Sequence, residues 1–465
     1  MPQNIIFKNQ NKNQWNDKTV KNGGKYSSLL IAISWGLWIV VIGGFVFAWN
    51  FGYPQYYSGR LVDKIKGKKN TNETPTKVQN TPLGQGERSS YNTSAGQISA
   101  KPKLLSVSNK SLNMGNIFFG RYIDDWSMRA ANPAKGATAV ANESDSRDFN
   151  YPFSGLASFE RNKYDSWIAG LECPVTPNFR SSEVQDTDLK FNCLPDYIGP
   201  ASKWFNSFSL ANNHTDNMQE IDGFTQTKAI LEKNDIQHFG HFDNAITDEN
   251  CDVANMPARA NYDDGTVKKI NIPIAYCGYH NVFKLPTESE LLSITKFSKY
   301  FPTFVFPHGG AEYTTKSDGI KRELYRSMID AGADTVIGDH PHTTQETEIY
   351  NGKLIVYSLG NFIFDQQSNF NVTTGVALDI DMKITGSENY NNVIEKLGDK
   401  CSSYQDNCLD IVKKEGGKKP VFTLDYDIIA SDNSGKLTKK GSVDIQNAML
   451  QRTNWARTME LYKKP

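Results

Sequence analysis

Three of the seven histidines fall in two short blocks, His308 in FPHGGAEY and His340 with His342 in GDHPH. Neutral imidazole is the commonest metal-binding side chain and suits zinc, iron or manganese. In an extended segment the side chains of residues i and i+2 point the same way, so His340 and His342 are expected to reach one ion across Pro341. Glu172 in LECPVT and Asn213 with His214 in LANNHTDN also follow apolar runs directly. A carboxylate after one strand, an amide–histidine pair after the next and histidines after two later ones can converge on the carboxyl edge of a sheet. That is a dinuclear metal pattern, in which a carboxylate bridges two ions and activated water attacks a phosphorus or carbonyl centre. Asp339, just before the histidine pair, is placed either to orient an imidazole by accepting its second N–H or to sit as a solvated loop aspartate.

Positioning such residues requires a sheet with its strand ends aligned, and the chain has the corresponding alternation. The run 205–210 (FNSFSL) reads as a strand, 221–232 as a helix with Phe224, Ala229, Ile230 and Leu231 apolar, and 236–239 as a strand again. A second unit follows: strand 303–307, a helix over 319–331 carrying Leu324, Met328 and Ile329, then strands at 335–337, 346–350 and 354–357. The fold class expected from this order is α/β, with polar residues grouped just past strand ends, where α/β sheets place their sites. From Gly375 onward, GVALDIDMKI and PVFTLDYDII alternate apolar with polar residues as half-buried strands do. The intervening stretch, 385–420, reads as a polar insertion, and 129–148 as a surface loop inserted after the first strand.

Outside that region the chain changes character. Residues 29–49 (LLIAISWGLWIVVIGGFVFAW) carry no charge, and about 20 apolar residues span a bilayer. The run ends in bulky Phe47, Trp49, Phe51 and Tyr53, not the small residues of a signal-peptide cleavage site, so an uncleaved anchor is expected. Lysines flank it on both sides, and the positive-inside rule selects neither orientation. The following stretch, rich in Lys, Asn, Thr, Ser and Gly, has too little apolar surface to offset its ordering entropy and reads as a linker. The expected organisation is a short cytoplasmic tail (1–28), an anchor (29–51), a linker (52–103), a main domain (104–384), the insertion (385–420), completing strands (421–448) and a tail (449–465). Lys plus Arg and Asp plus Glu balance at 51 each, so no field of one sign is available to gather nucleic acid by counterion release. Six cysteines allow 15 connectivities, among which Cys401 and Cys408 are near enough in sequence to close a small loop in an oxidising compartment.

The blocks GNIFFGRYID, LECPVT, LANNHTDN, IQHFG, HGGAEY and AGADTVIGDHPHTTQETEIYNGKLIVYSLGNFIFDQ resemble, in order and spacing, the motifs of the CapA family of poly-gamma-glutamate capsule proteins. The resemblance covers about 104–366. It implies a four-layer α/β/β/α metallophosphatase-like sandwich, anchored by its N-terminal transmembrane helix outside the cytoplasmic membrane. The implied work is synthesis or export of poly-gamma-glutamate or a similar anionic envelope polymer, beside other membrane capsule-synthesis proteins. By the same resemblance, Glu172 is the bridging carboxylate, Asn213 an amide ligand, His308, His340 and His342 imidazole ligands, and His214 a general acid. Arg121, Asp124, Asn212, Glu312, Asp339 and Asn361 lie in the same motifs, in positions that support the ligands or face a substrate.

Two departures matter. The family's opening Gly-Asp motif has Asn116 after Gly115; an amide oxygen still coordinates a cation but removes a negative charge, so two divalent ions are expected at a full site and one at a weakened site. Gly309 stands where the family often has a bulky residue, which implies a wider pocket. Three readings follow: a capsule-polymer protein with a metal site, a metal-dependent phosphoesterase acting on another envelope substrate, and a non-catalytic binding protein whose metal site has degraded.

Overall fold

The computed structural model describes residues 102–385, 401 and 408–462. These belong to the unit Gln97–Pro465. The expected anchor at 29–51 and nearly all of the linker lie outside the described residues, as does most of the 385–420 insertion. No helix among the described residues is long and apolar enough to cross a membrane.

The architecture is mixed α/β. The strands are β1 (Leu104–Ile117), β2 (Ser166–Leu171), β3 (Ser207–Ser209), β4 (Gln237–Phe239), β5 (Cys251–Tyr262), β6 (Val267–His280), β7 (Thr303–His308), β8 (Thr335–Ile337), β9 (Thr347–Tyr350), β10 (Lys353–Val356), β11 (Asn361–Ile363), β12 (Thr374–Thr385), β13 (Phe422–Asp432) and β14 (Lys439–Lys440). They form one forked sheet, and β1 is the fork. Its first residues, Leu104 to Ser108, pair antiparallel with β5, whereas Ser111 to Ile117 pair parallel with β2. From β5 one branch continues through β6, β7, β8, β10 and β9; from β2 the other continues through β3 and β4, while β12, β13 and β14 flank β1 on its remaining side. The burial of β1 follows the fork. Its first half alternates between buried and half-exposed residues, and its second half is buried throughout, as a strand covered on both faces must be.

Three apolar clusters fill the spaces this leaves. In the first, Ile168 and Phe239 from the β2–β4 branch pack with Met256, Ile272, Ile274, Phe304 and Leu354 from the other branch, and with Leu378 and Ile428. A second joins β1, β2 and β3 to residues such as Ile123 and Trp126 of the Arg121–Ala131 helix and Phe224 and Leu231 of the Gly223–Lys233 helix. A third joins β6, β7, β8 and β10 to the Glu288–Ser298 and Gly319–Asp330 helices through Leu291, Ile294, Leu324, Tyr325 and Met328. The Glu288–Ser298 helix begins with a capping box between Thr287 and Glu290, which satisfies amide groups that a helix start leaves unpaired. Trp167, fully buried in β2, meets the rings of Phe159, Tyr164, Trp204 and Phe205. Trp167→Ala is therefore expected to lower unfolding stability by about 3–5 kcal/mol, measured as a fall in the denaturant midpoint; an unchanged midpoint would contradict this packing.

Several sequence expectations are corrected here. The 129–148 loop follows the Arg121–Ala131 helix, not the first strand. The stretch 449–465, expected as a tail, contributes the end of the Val443–Arg452 helix and the whole Trp455–Leu461 helix. Thr347 anchors this pair, its N–H and hydroxyl both donating to the Thr453 carbonyl at 2.9 and 2.8 Å. The six cysteines pair as Cys173–Cys193, Cys251–Cys277 and Cys401–Cys408.

Candidate metal centre at the carboxyl edge of the sheet

Strands β1, β2, β3 and β4 run parallel, as do β6, β7, β8 and β10. Asn116 lies near the end of β1, Glu172 directly follows β2, Asn212 to His214 follow β3 by three residues, His308 ends β7, and Asp339 to His342 follow β8. The backbone of the last two is joined by a bridge between His308 and Asp339. Close approach here demands a glycine: a Cβ added to Gly170 would lie 2.2 Å from Asp339 Oδ2. The expected widening at Gly309 does not occur, because a Cβ there would land 2.4 Å from the Asn281 carboxamide, which takes the space.

The His340–His342 segment is not the extended pair expected from its spacing. His340 has φ 91° and His342 φ 58°, conformations that cost a non-glycine residue roughly 1–3 kcal/mol each and persist only where surrounding contacts over-determine them. Those contacts are present. The His340 N–H donates to Asn116 Oδ1 at 3.4 Å, and the Asp339 N–H to the Pro307 carbonyl at 3.2 Å.

Counting hydrogens at His308 is decisive for the chemistry. Its Nδ1 lies 2.7 Å from Asp339 Oδ1, and its Nε2 lies 2.8 Å from Asn213 Oδ1 and 3.2 Å from His340 Nδ1. A neutral imidazole has one N–H for those two oxygens. The doubly protonated ring would serve both, but burial holds His308 well below its ordinary pKa. With Asp339 ionised, one contact therefore sets lone pair against lone pair, a conflict that is removed by a cation on Nε2 or by a proton on Asp339. The carboxyl groups resist ionisation unless a positive charge stands beside them. Glu172 is buried, its Oε2 has no hydrogen-bond partner among the described residues, and burial followed by the charge of Asp339 holds its pKa well above the ordinary range. Burial pushes Asp339 up to about 7, against the opposing pull of Lys321 and His342.

His342 approaches Glu172, its Nε2 at 3.6 Å from Glu172 Oε1. The Asn361 amide donates to the Val372 carbonyl and to Gln366 Oε1, which turns its own oxygen to His342 Nδ1 at 2.9 Å. That fixes the tautomer, with Nδ1–H donating to Asn361 and the lone pair on Nε2. Burial lowers the His342 pKa to about 4, and that of His340 further still. Asn116 is less suited to a cation as it is held. Its oxygen faces the His340 N–H, and its Nδ2 lies 3.2 Å from His342 Nδ1. Among the described residues no group of three or more His, Cys, Asp or Glu side chains is already spread at metal-ligand geometry; the imidazoles instead contact one another and the amides.

His214 donates from Nδ1 to Asn217 Oδ1 at 2.7 Å and stacks on Phe191 with ring centroids 4.0 Å apart, and burial lowers its pKa to about 4. Asn212 accepts the His214 N–H at 2.8 Å and places its Nδ2 3.3 Å from His308 Nδ1. Among the described residues, three other expected ones form no hydrogen bond with the histidines, although the charges of Arg121 and Glu312 both act on Glu172. Arg121 is bound on two sides by Asp365, with Nε and an Nη each at 2.6 Å, and its guanidinium lies over Phe191. Asp124 is held by Arg147 at 2.7 Å and by the Tyr197 hydroxyl at 2.8 Å, away from the histidines. Glu312 is exposed. Residues not foreseen include Asn217, Phe191, and Tyr313, which stacks on His342. His280 was also missed, although it follows an apolar run (IPIAYCGYH) as the foreseen residues do.

The sequence pattern of the family described as bacterial capsule synthesis protein PGA_cap matches residues 112–261 and 292–366. Over 85 residues the chain is 44% identical to the PGA biosynthesis protein CapA of Bacillus subtilis (strain 168), a match covering 18% of this chain and 22% of that protein. Over 59 residues it is 48% identical to the capsule biosynthesis protein CapA of Bacillus anthracis, covering 13% and 14%. The chain belongs to the CapA family. The segments matched thus span about a fifth and a seventh of those two CapA proteins. Among solved structures, the protein TT1561 of Thermus thermophilus aligns over 58% of this CapA-family chain and 94% of its own, at 10% identity and a TM-score of 0.30, a likeness too slight to bear on the fold. Both blocks of the CapA-family match together take in Asn116, Glu172, Asn213, His214, His308, His340 and His342.

Proposed function

We propose that this CapA-family chain acts in synthesis or export of poly-gamma-glutamate or a similar anionic envelope polymer through a divalent-metal centre at the carboxyl edge of its sheet. The observation that carries the reading is the donor set: Glu172, His308 and His340, all buried, and the half-buried Asn213 bring oxygen and nitrogen lone pairs to one edge, with Glu172 Oε2 unpartnered among the described residues. The forked sheet, with helices packed outside each branch, fits the four-layer metallophosphatase-like sandwich expected for the family. Two disulfides within or flanking the main domain's strands, and a third at Cys401–Cys408, favour an oxidising and hence extracytoplasmic setting. The apolar stretch at 29–51 would hold the domain at the membrane surface.

In this reading Glu172, Asn213, His308 and His340 hold one ion, while Glu172 and His342 hold a second more weakly because Asn116 brings no charge. When bound, such ions supply Lewis-acid polarisation of a phosphoryl or acyl oxygen and favour ionised water. The chain's own residues orient and exclude. Asp339 aligns His308, Asn361 aligns His342, and His214, steadied by Asn217 and Phe191, exchanges a proton with the group leaving the reacting centre. The Asn116 geometry favours a second reading, a half-occupied centre that binds polymer without turning it over.

Metal analysis of the full-length chain purified without chelator separates these. Wild type is expected to carry about one equivalent of a transition metal, rising toward two in Asn116→Asp, because a carboxylate lowers the cost of placing a second cation beside Glu172. Two equivalents in wild type would overturn the half-site reading, and none in either protein would overturn the metal centre itself.

A further inference from the structure

His280 ends β6 in register with His308 at the end of β7. Residues in register on neighbouring parallel strands point to the same face, and such strands lie about 4.8 Å apart, so the two side chains leave the sheet on the same face. Three hydrogen bonds hold His280 in place. Its backbone N–H donates to Asn244 Oδ1 at 3.1 Å, its carbonyl accepts from Asn244 Nδ2 at 2.6 Å, and its Nδ1 lies 2.8 Å from the Phe242 carbonyl. A carbonyl only accepts, so Nδ1 carries the hydrogen and Nε2 carries the lone pair. Asn244 is itself tied down, its carbonyl accepting from Asn250 Nδ2 at 2.8 Å.

The lone pair has nothing to meet. Nε2 is buried without a hydrogen-bond partner among the described residues, in a side chain whose residue is only 9% exposed. A buried acceptor left in this state is costly. An imidazole whose Nδ1–H is spent on a backbone carbonyl and whose Nε2 lone pair is kept available is in the state that metal-binding histidines adopt. The ring also lies within electrostatic reach of His214, His308 and His340, on each of which a positive charge at His280 would act. His280 falls between the two blocks that match the family.

We infer that His280 is a further imidazole ligand, through Nε2, for a divalent transition-metal ion held on the His308 side of the centre. The inference rests on the metal-centre reading above and sharpens it. With His280, His308 and His340 all contributing nitrogen, that half of the centre takes cobalt, zinc, iron or manganese in preference to magnesium or calcium, which seek oxygen.

The test is a titration of the full-length chain with Co²⁺, followed by its visible absorption, in wild type, His280→Ala, His280→Gln and His308→Ala. His280→Ala is expected to weaken cobalt binding at least about tenfold and to change the band positions. His280→Gln, which keeps a polar side chain and is checked for folding by near-ultraviolet circular dichroism, is expected to recover part of the affinity with a spectrum shifted by exchanging nitrogen for oxygen. A folded His280→Gln protein with wild-type affinity and spectrum overturns the assignment, and if His308→Ala has meanwhile lost cobalt, the centre itself survives. Absence of cobalt binding in wild type overturns both.

Discussion

His308→Ala is expected to strip the chain of most of its divalent metal. His308 is the residue on which the centre converges, with Asp339 on one nitrogen and Asn213 and His340 around the other. Removing the ring takes away a ligand and also leaves the buried Asp339 carboxylate without its nearest hydrogen donor. Loss of a group that merely orients a metal-bound histidine costs about 10–100-fold in affinity as a rule, so loss of the ligand itself should exceed about 100-fold. Elemental analysis after exhaustive dialysis, with melting followed in parallel, measures this. His308→Gln provides the control for collapse of the loop, since it refills part of the space. A folded alanine variant that retains the wild-type metal content would remove His308 from the centre and, with it, the reason for placing an ion beside it.

The second large effect concerns stability. Arg121 begins its helix with φ 47° and delivers its guanidinium to Asp365, whose side chain is 1% exposed. A second carboxylate, Asp186, approaches at 3.3 Å. Arg121→Ala leaves the Asp365 charge buried and unpaired, which is expected to cost about 3–5 kcal/mol of unfolding free energy. The double variant Arg121→Met with Asp365→Leu should regain much of that loss, because it removes both charges together. Denaturant unfolding of the two proteins decides the matter: equal destabilisation would mean that Arg121 acts through packing on Phe118 and Phe191 and not through its charge. The same pair bears on the site. Phe191 contacts both the Arg121 guanidinium and the His214 ring, so a loosened Arg121 should also disturb the residue assigned to proton exchange.

The sequence by itself determined the elements and the neighbourhood of the site. Hydrophobic periodicity located β7, the Gly319–Asp330 helix, β8 and β12 to within a residue or two, because each must bury an apolar face and its period follows from its geometry. Placement of polar residues just beyond those elements singled out Glu172, Asn213, His308, Asp339, His340 and His342, and parallel strands carry such positions to one edge. The tertiary structure decided what depends on distance between remote residues. Whether a cysteine pairs with one 20 or 26 positions away depends on strand order, and the fork at β1 is set by which partner each half of that strand meets. The 449–465 stretch reads as a tail because its partners, Thr347 in β9 and Leu424 and Tyr426 in β13, are remote in sequence. Asp124 and Arg121 sat in the right motif, yet their side chains are held by Arg147, Tyr197 and Asp365. The orientation of Asn116 is set by a backbone N–H of His340, the tautomer of His342 by Asn361, and the unused lone pair of His280 by the Phe242 carbonyl. Residue types specify which groups can donate and accept, but only their arrangement in space determines which of them are left unsatisfied, and that shortfall is what points to a cation.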